Sequence, residues 1–170
     1  VKVIALVTAA AVAVAAICFF ATGDALSGAV AATRFTARFS ALVFAAALVA
    51  RAGRPPFLAA RWQSLTYAFV AAHAVHYGTV ATRAFVEPAN RLRHPTLVPS
   101  LIIAGGLSLL VVLAGTRGRI QSAVFYLAGT LLVLALGSRA ATPAQHPTST
   151  ITLAILIAAF AWRIGGAVRR

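Results

Sequence analysis

His73, His76 and Tyr77 are the residues whose types and spacing could carry chemistry in this chain. They fall inside an apolar run that begins near Trp62, and residues three and four apart share one face of a helix. Two imidazoles and a phenol therefore point broadly the same way from an otherwise greasy element. An ionisable side chain within an apolar span is costly enough to need a reason. Three kinds of chemistry would supply one. Neutral imidazoles can hydrogen-bond between helices and serve packing alone. They can ligate haem iron inside a helix bundle, with arginines near the interface pairing with the propionates. They can also hold a d-block metal with a loop histidine, although an i,i+3 pair without carboxylate or thiolate is an incomplete ligand set. The other two histidines, His94 and His146, fall in polar connecting segments.

Several function classes are excluded. Asp24 and Glu87 are the only acidic side chains and both fall in loops, so paired-carboxylate catalysis and carboxylate-coupled proton pumping lack their groups. A formal charge of +13 would ordinarily suit nucleic acid. Here the basic residues stand singly or in pairs at the ends of apolar runs, not in a patch interleaved with aromatics, which points to membrane lipids and away from nucleic acid. Cys18 has no partner cysteine in the chain and reads as a small packing residue. All the basic residues but Lys2 are arginine and alanine is abundant, which fits a bacterium with a GC-rich genome.

The elements that must position the histidines follow from composition. Of 170 residues 61% are hydrophobic and 10% charged, with mean hydropathy +0.93. A soluble domain of this size has roughly a quarter charged residues. Apolar runs separated by short basic islands instead predict an all-α, polytopic membrane bundle, one transmembrane domain over 1–170. Six spans are expected, at about 3–21, 35–50, 62–80, 97–114, 120–136 and 151–168. The first is read as an uncleaved span because its apolar stretch is long for a signal core. Basic residues are nine on the side of Lys2, Arg51 and Arg61 and six on the side of Arg34, Arg38 and Arg83. That excess predicts both termini in the cytoplasm, and hence a bacterial inner-membrane protein. His73 and His76 then lie about 16 and 21 Å along the third span, in its outer half. Small residues four apart, such as Ala37, Ala41 and Ala45, predict close helix packing.

Short matches add a family resemblance. Thr36-Ala37-Arg38 is similar to the Thr-Gly-Arg opening of the second span in ferric reductase-like transmembrane proteins, the family of the haem-binding membrane subunit of the methionine sulfoxide reductase system. Arg61-Trp62 leading to Ala72-His73 and Tyr77 resembles that family's third span, where a haem-ligand histidine precedes a tyrosine by four. The resemblance covers about Thr33 to Leu136. It implies a haem-bearing electron-transfer subunit, an oxidoreductase component fed by a partner protein or quinone, since no flavin or nicotinamide domain is present. On that resemblance His73 is the first candidate haem iron ligand and His76 the second, with His146 or His94 as a partner ligand or an open sixth position, and Arg34 and Arg38 could pair with the propionates. The chain departs from the family in its fifth span, where Ser122 and Ala135 occupy the ligand-histidine places, so at most one haem b could bind. A cofactor-free membrane module that packs against or regulates a partner is the competing expectation.

Overall fold

The computed structural model describes residues 1–52, 55–87, 118–141 and 147–168. The expected span at 97–114 lies outside the described residues, as do His94 and His146. All secondary structure among the described residues is helical: α1 (Lys2–Ala21), α2 (Ala25–Arg51), the short α3 (Pro56–Ala59), α4 (Trp62–Val86), α5 (Gly118–Ala140) and α6 (Thr148–Val168).

α1 is apolar throughout and only Ala11 is buried, so it lies at the edge of the bundle. The chain reverses at Gly23, whose φ of +74° is a left-handed conformation suited to glycine. Asp24 then caps α2, accepting the Ser27 amide at 2.8 Å. α2 thus begins ten residues before the expected span at 35–50. Its polar residues Thr33, Thr36 and Arg38 are buried on its faces. α4 likewise continues six residues past the expected end at 80. Pro-Pro at 55–56 sits at the start of α3, where a missing amide leaves no bond unmade.

α2 is the centre of the bundle and packs against α1, α4, α5 and α6. The pairings fix the helix directions. Gly28 lies against Phe19, Ser40 against His73 and Thr36 against His76, so α1 and α4 run antiparallel to α2. Arg38 meets Ser149 and Gly166 meets Ala52, so α6 runs parallel to α2. Phe160 meets Gly129 and Arg163 meets Phe125, which makes α5 antiparallel to α6 and parallel to α4. Phe44 joins the packing at the middle, 4.8 Å from Phe69 and 5.6 Å from Phe125 between ring centroids.

Three helices are long and apolar enough to cross a membrane among the described residues: α1, α2, and α6 over Thr148–Gly166. The expectation of six spans is met in that part. α4 has the length, but Gln63, Ser64, His73 and His76 lower its hydropathy. In α5 the described side chains include the apolar stretch Ala123–Gly137.

Candidate functional site

α4 places His73, His76 and Thr79 at spacings of three, on the face turned to α2. α2 answers with Thr33, Thr36 and Ser40, at spacings of three and four. Because the helices are antiparallel, the two stripes pair in reverse order. Ser40 Oγ lies 3.0 Å from His73 Nδ1, and Thr36 Oγ1 lies 3.2 Å from His76 Nδ1. Thr36 Oγ1 is also 3.1 Å from Thr79 Oγ1, and the Thr33 hydroxyl reaches the Thr79 carbonyl at 3.3 Å. All six side chains are buried. Alanines at 29, 32, 37 and 41 on α2 and at 68 and 72 on α4, all buried, let the backbones come close enough for these bonds.

The hydroxyls of α2 also bond within their own helix. A helical serine or threonine hydroxyl can donate back to the carbonyl three or four residues earlier. Ser40 does so to Ala37 at 2.9 Å, and Thr36 to Ala32 at 2.7 Å. Where a hydroxyl proton is so engaged, its oxygen is left to accept from the Nδ1–H of the facing histidine. Tyr77 stands edge-on to His73 at 4.8 Å and 5.3 Å from His76, while Phe69 lies 5.1 Å from His73 on the other side. The result is a cluster of two imidazoles flanked by aromatic rings and fastened to α2.

Arg34 and Arg38 are not part of it. Successive residues turn by about 100° around a helix, so the face of α2 bearing Arg34 and Arg38 is nearly opposite the face bearing Thr36 and Ser40. Arg38 is buried, donates from Nη2 to Ser149 Oγ at 3.0 Å and lies 5.3 Å from the Phe35 ring centroid. Arg34 is half-buried. Together they line an open cavity of about 490 Å³ with Leu26, Ser27, Val30, Ala31, Phe35 and Thr148. The structure therefore joins His73 to His76 and separates both from the two arginines. His146 lies outside the described residues, and among those described no group of three or more His, Cys, Asp or Glu side chains is arranged to hold a metal ion.

The partners that sequence reasoning missed are the hydroxyls. Thr33, Thr36 and Ser40 form a polar stripe at helical spacing that is plain in the sequence. Its meaning depends on α2 starting at Ala25, which places the stripe within a helix and not at its mouth.

Comparison with known proteins gives no match: no family model fits the chain, and neither a characterised protein nor a solved structure is similar to it.

Proposed function

We propose that the chain is a six-span integral membrane protein of a bacterial inner membrane, acting as a cofactor-free module that packs against or regulates a partner protein. In this reading His73 and His76 are the fastening that holds α4 to α2. The observation that carries it is the engagement of both Nδ1 atoms by α2 hydroxyls, at 3.0 and 3.2 Å.

The number of spans is supported by the helix directions. α4 and α5 run the same way, so the chain leaves α4 at one end of the bundle and enters α5 at the other. The apolar stretch 97–114 is long enough to make the return crossing. The start of α1 and the end of α6 fall at one common end, and the excess of basic residues there favours the cytoplasm.

Haem binding of the resembled kind is disfavoured by where the expected cations lie. A haem needs an imidazole nitrogen opening on a gap wide enough for the macrocycle, and cations near its propionates. Arg34 and Arg38 lie across α2 from the histidines, so the cations expected beside the propionates are not on the imidazole side. These residues do not fit the group.

The test is the absorption spectrum of the chain purified in detergent after expression with ample haem. No Soret band is expected, and the His73→Ala/His76→Ala double variant is expected to remain folded and inserted, with reduced stability. A Soret band that disappears in His73→Ala would replace this reading with the haem-bearing one.

A further inference from the structure

We infer that the cavity between the first half of α2 and the start of α6 is a binding site for the phosphate of an anionic membrane phospholipid, with Arg34 as its principal cation. The inference rests on the membrane reading above and adds a ligand to it.

The argument begins with charge. The chain has 15 basic side chains and two acidic ones. Asp24 accepts the Ser27 amide at the start of α2, and Glu87 is paired with Arg83 at 3.1 Å. Neither carboxylate forms an ion pair with Arg34 among the described residues. Arg34 makes no hydrogen bond or ion pair among the described residues, though it is half-buried. A guanidinium in that setting is costly unless an anion meets it.

The cavity is shaped for such an anion. Arg34 and Arg38 are one turn apart on the same face of α2, so two planar forks can approach one phosphate. The hydroxyl-bearing residues Ser27 and Thr148 stand in the same wall, and Thr148 belongs to the first turn of α6, where unpaired amides favour negative charge. The rest of the lining is apolar, from Val30 and Phe35 among others, and suits the upper part of an acyl chain. A volume of about 490 Å³ exceeds what a lone phosphate needs and accommodates a headgroup.

Depth favours a lipid over a soluble ion. Arg34 and Arg38 lie about 14 and 20 Å along α2 from Ala25. α1, which folds back on α2 and has nearly the length of a lipid core, ends beside the start of α2. The guanidiniums therefore sit below the outer edge of the apolar layer, where a lipid phosphate drawn inward can reach them along the open side of the cavity.

The experiment is native mass spectrometry of the delipidated full-length chain in detergent. It is titrated with phosphatidylglycerol, with phosphatidylcholine, and with inorganic phosphate as a competitor. One phosphatidylglycerol is expected to bind more tightly than phosphatidylcholine. Arg34→Gln should weaken it about tenfold or more, because a charge-assisted contact is lost. Arg34→Lys should restore part of the affinity, and Arg61→Gln, at the far end of the bundle, should leave it unchanged. Equal binding of the two lipids, or binding indifferent to Arg34→Gln, overturns the site. Displacement by millimolar phosphate without any lipid preference assigns the cavity to a soluble anion and overturns the lipid assignment. A chain that stays in the supernatant of lysed cells without detergent removes the membrane reading as well. One that sediments with membranes but shows no lipid preference removes only this site.

Discussion

The seam between α2 and α4 is closed by imidazoles and hydroxyls, whereas the seam between α5 and α6 is closed by rings and a guanidinium. In the first, donor and acceptor atoms meet at 3.0 to 3.2 Å, and sliding either helix by one turn would break every pair. In the second, Arg163 lies 5.3 Å from the Phe125 ring centroid and 5.2 Å from that of Tyr126, and Phe160 lies 6.1 Å from Tyr126. Cation–π and ring contacts are attractive over a range of distances and angles. The hydrogen-bonded seam therefore fixes register, and the aromatic seam fixes spacing.

Substitutions separate the two kinds of seam, and the largest effect is expected where spacing is set by shape. At Gly129 an added Cβ would overlap the Phe160 ring. Gly129→Ala should destabilise the protein by about 1–3 kcal/mol through overpacking, read as a lower midpoint of unfolding in mixed micelles. An unchanged midpoint would mean that the α5–α6 seam is loose. The hydrogen-bonded seam should respond less, because hydroxyl and imidazole groups that lose their partner find another. A double-mutant cycle of His73→Ala and Ser40→Ala should give a coupling of about 0.5–2 kcal/mol, whereas His73→Ala with Thr130→Ala, on α5, should give none. Equal couplings would show that the pairing does not hold α2 to α4.

The smallest effect is expected at the turn outside both seams. The Ser27 backbone amide, with its hydroxyl, holds the exposed Asp24 carboxyl below the usual carboxylate range. A lowered folded-state value means that the capping stabilisation is fully present above about pH 4 and is lost as pH falls through that lowered value. Asp24→Asn, which can still cap, should remove this pH dependence while leaving neutral-pH stability nearly unchanged. A pH titration of the unfolding midpoint for the two proteins checks this, and superimposable profiles would remove Asp24 from the account.

Much of the helix content was legible without coordinates. Lys2–Ala21 and Thr148–Val168 are apolar runs of spanning length, and Pro55-Pro56 marks a break that a helix cannot cross. α2 was harder to read because hydropathy leaves Thr33 and Arg34 outside the span and Arg38 near its mouth, although a hydroxyl can satisfy itself on its own helix and a guanidinium can reach another. The candidate site was half legible. The i,i+3 spacing of His73 and His76 identified the face of α4 that matters, but no feature of the sequence says which helix that face meets.

By itself, then, the sequence determined that this is a helical chain with stretches long and apolar enough to cross a lipid layer, and that its chemistry-bearing residues are imidazoles within an apolar run and arginines that far outnumber the carboxylates. These properties are local, fixed by residue type and by the 3.6-residue period. Only the tertiary structure decided that the imidazoles face hydroxyls on α2, and that Arg34 and Arg38 lie on that helix's opposite side beside a cavity. Such pairings depend on where α2 begins and how its neighbours are rotated about it, and these are set by packing between residues more than thirty positions apart in the chain.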